Sequence, residues 1–299
     1  MSRRSLFCLK SGVFSLWWGV ICVFYVILQV MKGKQEDMIQ HPEVWQLLVS
    51  IEDGVVRYIL FTPKVANSLV LGEVACRDDS LQALEDAVYD TPVLLNDYQR
   101  VRVVVHPRHF ILLPGETADE DCTLLLHEAF PHEDGEVNLS PMPNNGLKVA
   151  CLLPHGMQAF LGRTFNLPTV FPHLVPLCEH FKTLGRGDDR MRMFLHLTDN
   201  HSDLAIYRDD AIVFANTYPF TDAKDMVYFI LGAWRSHGMD QLADELQLMG
   251  DNALQATMTP LLREYVKHVT PAVYPTAAMR LGRNAMQAPL ELILLALCE

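Results

Sequence analysis

The first candidate for chemistry is a cluster of histidine and glutamate, His127-Glu128 followed by His132. A zinc-protease helix carries two histidines four positions apart, so that both imidazoles lie on one helix face and bind the same ion. Here the interval is five residues, and Pro131 interrupts the helical turn between the two histidines. We therefore predict no metal site in this segment.

Five further histidines stand at intervals that match no ligand motif: His106, His109, His173, His180 and His196. We interpret them as ordinary strand or loop histidines, and no metal ligand is predicted. The sequence contains neither a G-x-S-x-G nucleophile turn nor a G-x-x-x-x-G-K-[ST] phosphate loop. The hydrolase and P-loop classes that depend on those motifs are excluded at motif level.

The elements that would position a site begin at Trp45. Apolar runs at 45–51, 55–61 and 68–75 are separated by turns and predict a three-strand antiparallel meander. Helices and strands then alternate. The predicted helices begin at Leu81, Asp119 and Met157, and the predicted strands span 100–105, 109–114 and 146–154.

The second half repeats this order of elements after a glycine- and aspartate-rich loop at 185–189. Strands are predicted at 191–197, 203–207 and 211–218, followed by a helix that Thr221 or Asp222 caps, a strand at 245–250 and a helix at 254–266. The repeat lies in the order of elements rather than in residue identity.

This doubled pattern predicts an α/β fold with mixed sheets. In Rossmann and TIM-barrel folds a helix joins the first two strands, whereas turns join them here. We therefore predict the duplicated ribonuclease-H-like architecture of the actin and sugar-kinase superfamily. The predicted units are a hydrophobic segment at 1–37, a first actin-like subdomain at 42–187 and a second at 188–299.

The chain resembles a bacterial family of unknown function whose members look like actin-fold ATPases, and more remotely the actin-like proteins of type IV pilus assembly. The resemblance covers residue 42 to the C-terminus. Its most specific segment is DLAIYRDDAIVFANTYPFTDAKDMVYFILGAW, in which a strand ending at Asn216-Thr217 precedes Asp225 and an aromatic-rich helix. Further matching segments are WQLLVSIEDGVVRYILF, VRVVVHPRHFILLPGE and DELQLMGDNALQATMTPLLREYV.

The resemblance implies a cleft in which one glycine-rich hairpin from each half holds the phosphates of ATP, and an aspartate of each hairpin helps to hold Mg²⁺. Asp53 in the Ser50–Gly54 segment and Asp199 in the Thr198–Asp203 segment match these acids. The first segment has a single glycine, and His201 stands in the second where a glycine is expected.

The adenosine part of the implied site normally has a strand followed by two glycines. This chain has Gly250 alone, followed by Asp251, whose charge would repel phosphate oxygens. We interpret Asp53, Asp199 and Gly250 as turn residues of a degenerate nucleotide site, and no cofactor is predicted. The alternative is a weak surviving site for ATP and Mg²⁺ at these residues.

Charge and cysteine content limit the partners and the compartment. Hydrophobic residues make up 50% of the chain and charged residues 20%, which suffices for a sizeable core, and the net charge is −12 without a basic run. Nucleic acid is therefore excluded as a predicted partner. The seven cysteines form no paired pattern, which indicates free thiols in a reducing compartment and a cytoplasmic location.

Residues 13–31 form an uncharged apolar run that is long enough to cross a bilayer. Three interpretations stay open: the run is an artefact of the start codon with translation beginning at Met38, it is a membrane anchor of a single-pass inner-membrane protein, or it is a signal peptide.

The sequence predicts a catalytically silent actin-like protein that acts through contacts with an unknown protein partner. One alternative is an ATP-dependent phosphotransferase or ATPase that uses Asp199 with Mg²⁺. Another is a membrane-tethered component of a cell-envelope assembly, anchored through residues 13–31.

Overall fold

The structure, a computed structural model, describes residues 39–52, 54–185 and 189–298. Within them the chain forms two five-stranded mixed sheets and one three-stranded antiparallel sheet. Strands and helices are numbered below along the chain.

The first sheet has the strand order β3-β2-β1-β4-β8. Strands β1, β2 and β3 pair antiparallel through turns, whereas β4 is parallel to β1 and β8 is parallel to β4. The strands are β1 (Gln46–Glu52), β2 (Val55–Phe61), β3 (Val70–Ala75), β4 (Arg100–Val105) and β8 (Thr169–Pro172).

The second sheet has the order β11-β10-β9-β12-β13, with the same pattern of antiparallel and parallel pairs. Its strands are β9 (Arg192–Leu197), β10 (His201–Arg208), β11 (Ala211–Pro219), β12 (Glu245–Gly250) and β13 (His268–Pro271). The two predicted meanders are therefore confirmed as parts of separate sheets. Whether the two halves superpose stays a prediction.

The central strands of both sheets are buried on both faces. The first six residues of β1 and all six of β9 are buried, whereas the edge strand β3 alternates between partly exposed and exposed positions. This burial matches their near-continuous apolar sequences, which is typical of strands that have helices packed on both faces of the sheet.

The small third sheet has the order β5-β7-β6 and consists of β5 (Phe110–Pro114), β6 (Glu136–Met142) and β7 (Leu147–Leu153). Helix α2 (Asp119–Ala129) covers it through Cys122 and Leu126, which pack with residues of β7. Because α2 ends at Ala129, His127 lies on the helix and His132 lies beyond its end.

Outer helices cover one face of each large sheet. Helices α1 (Leu81–Tyr89) and α3 (Met157–Thr164) share a buried core with β1, β2 and β4, and helices α5 (Ala223–Ser236) and α6 (Asn252–Arg263) share another with β9, β10 and β12. Ser80 caps α1 through Ala83 N–H, and Asp222 caps α5 through two backbone N–H groups, as the sequence predicts.

Two helices fill the space between the large sheets. Helix α4 (Leu174–Thr183) reaches the second sheet, where the Phe181 ring stacks on Phe194 with centroids 4.8 Å apart. Helix α7 (Leu290–Leu297) packs Leu292 and Ile293 in one buried cluster with residues of the first sheet.

The structure adds elements that sequence patterns did not reveal, namely β6, β8, β13, α4 and α7. Strands β8 and β13 have only four residues each, which is too short for a periodic pattern. Helix α7 is almost entirely apolar, so it lacks the alternation of apolar and polar faces that predicts a helix. The C-terminal helix α7 thus packs against the first sheet, although it follows the second sheet in the chain. The division of the chain at residue 187 stays a prediction.

Candidate functional site

A polar cluster lies where neighbouring strands of the first sheet end. Glu52 is the last residue of β1, His106 directly follows β4, and His173 directly follows β8. Backbone hydrogen bonds continue the pairing of the strands to this point, since His106 N–H donates to Ile51 and His173 N–H donates to Val105. The carboxyl ends of the strands therefore bring these side chains to one edge of the sheet, the position where α/β folds commonly bind ligands.

The two histidines of the first sheet stack on each other. The ring centroids of His106 and His173 are 4.4 Å apart, and the ring planes differ by 7°. His106 Nε2 lies 3.0 Å from Ser50 Oγ on β1, and the Ser50 hydroxyl donates to Glu291 Oε1 on α7 at 3.0 Å. Helix α7 thus contributes a carboxylate to the strand ends of the first sheet.

The second sheet contributes a fully buried carboxylate, Asp203 on β10, whose side chain is 1% exposed. His173 Nε2 lies 2.8 Å from Asp203 Oδ1, His196 Nδ1 lies 3.0 Å from Oδ2, and the Thr217 hydroxyl donates to Oδ1 at 2.8 Å. Burial alone would raise the pKa of Asp203, but the charge and hydrogen bond of His173, with the bonds from the other histidines, hold it well below its usual range. The carboxylate is therefore ionised.

An ion pair joins the two hairpins across the cleft. His201, the first residue of β10, places Nδ1 3.3 Å from Glu52 Oε1 at the end of β1. Burial lowers the pKa of His201, but its interactions with the carboxylates of Asp203 and Glu52 outweigh that effect and raise the pKa to about 10. Burial raises the pKa of Glu52, and the hydrogen bond of His201 with the charge of His106 leaves it far below normal. At neutral pH the imidazolium and the carboxylate are both charged.

Residue His173 behaves differently from His201. Burial is the largest effect on His173 and lowers its pKa, even though the Asp203 charge acts in the opposite direction. The rings of His173 and His201 lie 5.8 Å apart between centroids. The pKa values of these two neighbouring imidazoles are therefore shifted in opposite directions.

A cavity of about 440 Å³ opens beside this cluster. Glu52, His106, His173, His201 and Thr217 line it from both sheets. The cavity is large enough for a small ligand, and its wall combines carboxylate with imidazole.

The residues predicted for a nucleotide site have separate positions. Asp53 lies outside the described residues. Asp199 is exposed in the turn between β9 and β10. Gly250 ends β12 with φ +97°, and a Cβ atom added there would collide with the Leu197 carbonyl oxygen. The glycine is thus required by its backbone conformation and by the close approach of β9.

The acid that follows Gly250 has a structural role as well. The Asp251 side chain accepts the Leu254 N–H at 2.7 Å, so this residue caps helix α6. The assignment of Asp53, Asp199 and Gly250 to a weak nucleotide site stays a prediction.

Sequence spacing did not reveal the histidine cluster, because His106, His173 and His201 are far apart in the chain. The available signal was positional, since each histidine lies directly after or at the start of a strand near the predicted cleft. The topology of the two sheets brings them together.

The described cysteines, Cys76, Cys122, Cys151, Cys178 and Cys298, are free thiols. Among the residues that the structure describes, no helix has the length and apolar character needed to cross a membrane. Residues 1–37, including the apolar run at 13–31, lie outside that part of the chain.

Solved structures with the same fold agree with this architecture. The chain is similar to a protein with actin-like ATPase fold and unknown function from Bacteroides thetaiotaomicron, with a TM-score of 0.70 and 20% identity over 85% of this chain and 98% of that one. It is also similar to a chain of the PilM-PilN type IV pilus biogenesis complex, with a TM-score of 0.50 and 12% identity over 86% of this chain and 98% of that one. The first of these likenesses shows the actin-like ATPase fold.

Among the curated proteins, none matches the chain. The family described as "Protein of unknown function (DUF3822)" matches residues 34–269. This match spans most of the chain and both large sheets up to β13, and it agrees with the resemblance that the sequence segments carry. The chain therefore belongs to the DUF3822 family, and its fold is the actin-like ATPase fold.

Proposed function

We propose that this protein is an actin-fold scaffold that does not use ATP and acts through contacts with a partner protein. The observation that carries the proposal is the ion pair between Glu52 and His201, 3.3 Å apart. It joins the two hairpins that, by the resemblance, would hold the phosphates of a nucleotide.

The charge of the cleft also opposes nucleotide binding. The carboxylates of Glu52, Asp203 and Glu291 all lie within hydrogen-bonding or ion-pairing range of the histidine cluster. A triphosphate in this cavity, which Glu52 and Arg108 both line, would lie beside the Glu52 carboxylate and would displace the Glu52–His201 contact. The loss of paired buried groups costs about 1–3 kcal/mol for each group, which is enough to weaken a micromolar site to millimolar affinity.

A protein partner is the class of ligand that the fold neighbours favour. The PilM-PilN structure contains an actin-fold chain in complex with a second protein. Because identity to that chain is 12%, the likeness supports a scaffold role in general and says nothing of which protein binds here.

Thermal denaturation with and without 1 mM MgATP tests the nucleotide part of the proposal. We expect the melting temperature to stay unchanged, whereas a ligand at about 100 times its dissociation constant would stabilise the fold by ~2.7 kcal/mol. The control variant is Asp199→Ala, which removes the acid that the resemblance assigns to Mg²⁺. A clear upward shift in the natural protein that disappears in Asp199→Ala would contradict the proposal and favour an ATPase.

The partner part is tested by gel filtration of the native protein from its own cells. We expect the protein to elute in an assembly that contains a second, defined protein at fixed stoichiometry. Elution of the protein alone, at the size of one free chain, would contradict the scaffold role.

A further inference from the structure

Three imidazoles meet at the base of the cleft. His106 and His173 come from the strand ends of the first sheet, and His201 comes from the start of β10 in the second. One ring nitrogen from each histidine contributes to a set of three atoms that all lie within 4.8 Å of one another. The side chains are nearly inaccessible, with exposures of 12%, 2% and 11% in that order.

Each of the three rings has one nitrogen held by a polar partner, and each has a carboxylate nearby. His106 Nε2 faces Ser50 Oγ at 3.0 Å and Glu291 Oε1 at 3.6 Å. His173 Nε2 faces Asp203 Oδ1 at 2.8 Å.

The third ring follows the same pattern. His201 Nδ1 faces Asn200 Oδ1 at 2.7 Å and Glu52 Oε1 at 3.3 Å. Metal-bound histidines characteristically donate the other ring N–H to a carboxylate or another acceptor, which fixes the tautomer and the ring orientation.

The remaining nitrogen of each ring is buried without a hydrogen bond. These atoms are His106 Nδ1, His173 Nδ1 and His201 Nε2, and no described residue offers them a hydrogen-bond partner. His201 Nε2 lies 3.6 Å from Asp203 Oδ2. Native proteins rarely leave buried polar atoms unpaired, so three such atoms in one cluster favour a bound ligand.

We propose that His106, His173 and His201 bind one divalent transition-metal ion of the zinc class, which bridges the two sheets. Neutral imidazole suits zinc and the neighbouring first-row metals, and the surrounding carboxylates of Glu52, Asp203 and Glu291 favour a cation.

The geometry requires a small adjustment of the rings. Three nitrogens at ~2.0–2.1 Å from a tetrahedral ion lie about 3.4 Å apart, which is closer than the present 4.8 Å limit of the cluster. The parallel rings of His106 and His173 must also tilt, because a metal lies in the plane of each imidazole that binds it.

The three histidines line the cavity of about 440 Å³. Three histidine ligands leave a fourth position for water or a small anion. The inference goes beyond the proposed scaffold function and shares His201 with the contact that carries it, and the metal would join the two sheets whether or not a partner protein is bound.

Zinc binding to the full chain tests the proposal. The protein is stripped with a chelator, exchanged into metal-free buffer and titrated with ZnCl₂ in the presence of a competing indicator, and bound zinc is counted by elemental mass spectrometry. We expect one zinc per chain with a dissociation constant below about 1 µM. Replacement by Co²⁺ should give a visible absorption band typical of four-coordinate cobalt.

Variants assign the ligands. His106→Ala should weaken zinc binding at least ~100-fold, and Glu291→Gln, which alters the partner of His106, should weaken it about 10–100-fold. The matched control is His109→Ala, a nearby histidine outside the cluster, which should bind zinc as the natural chain does.

The zinc count of the natural chain decides the matter even where a variant fails to fold. Fewer than about 0.1 zinc per chain at 10 µM free metal, or equal affinity in His106→Ala, would overturn the proposal. Because these titrations contain no nucleotide, and the MgATP measurement is made on the stripped protein, failure of the metal site and failure of the scaffold function give separate results.

Discussion

The two large sheets share their strand order and their pairing directions, but the polar residues beside the cleft differ. In the first sheet the buried residue of β1 that faces the cluster is the neutral Ser50, and imidazoles follow the strand ends. In the second sheet the corresponding environment contains the charged Asp203 with His196 beside it. The repeated architecture therefore carries a cleft whose two walls are chemically different.

This difference separates what builds the fold from what builds the site. The sheets need only apolar strands of the right length and turns between them, so both halves meet that need with unrelated sequences. The cleft instead depends on single residues that each occur once. Substitutions on the two walls should consequently change the free energy of unfolding by unequal amounts.

The largest expected effect is at the buried charge of the second sheet. Asp203→Ala leaves His173, His196 and His201 without their shared carboxylate and should lower the free energy of unfolding by about 3–5 kcal/mol. On the first wall, Ser50→Ala removes one neutral hydroxyl and should cost only about 1 kcal/mol. Urea denaturation measures both, and equal losses would remove the distinction between the walls.

Two glycines at positive φ give the next comparison. Gly250→Ala should cost ~2–3 kcal/mol, because φ is +97° and the new Cβ collides with the Leu197 carbonyl group. Gly54→Ala in the first hairpin should cost about 1 kcal/mol, since φ is +74° but the nearest atom to the new Cβ, Asp79 Oδ1, is 3.5 Å away. Thermal denaturation of the two variants measures both losses of stability. A larger loss of stability for Gly54→Ala would contradict the close approach of β9 and β12.

Acid sensitivity should be carried in part by Glu291 on α7. Burial raises its pKa, but the hydrogen bond and charge of His106, with the charge of His196, leave the pKa at about 2. A carboxylate with a lowered pKa stabilises the fold above its unfolded pKa of about 4.3 and loses that contribution as pH falls toward the folded value. This group alone should cost about 1.5 kcal/mol between pH 5 and pH 3.

The Glu291→Gln variant isolates that contribution. Its stability, measured by urea denaturation in the presence of chelator, should fall less steeply over the same pH interval than that of the natural chain. Glu116→Gln, which replaces an exposed glutamate in the loop before α2, is the control and should leave the slope unchanged. Parallel pH profiles for the natural chain and Glu291→Gln would contradict the assignment.

Much of the fold could be predicted because its signals are local. The meander strand at 55–61 and the strand at 245–250 have the predicted bounds, and the helix from Met157 begins where predicted. Helix α7 was not predicted because its sequence is almost entirely apolar, and because it packs against β1 and β2, which lie more than 200 positions earlier in the chain.

The cleft could be predicted only in part. The resemblance indicated the two hairpins that contain Glu52 and His201, and these hairpins do lie at the cleft. The phosphate chemistry that it implies concerns glycine and aspartate residues, so it did not single out Glu52 and His201 as a pair. The only signal for His106 was its position directly after a predicted strand, and His173 lacked even that, because the four-residue strand β8 and its pairing with β4 were not predicted. Only the parallel pairing of β1, β4 and β8 shows that the residues following these strands are neighbours.

The contact on which the proposed function depends is the ion pair between Glu52 and His201. A double-mutant cycle measures it directly, from the unfolding free energies of the natural chain, Glu52→Ala, His201→Ala and the double variant, at pH 7 with chelator. If the two hairpins meet across the cleft as described, the coupling free energy should be about 1 kcal/mol. Additive effects, with a coupling below ~0.3 kcal/mol, would show that the hairpins do not close the cleft and would contradict the proposal that side chains occupy the place of a nucleotide.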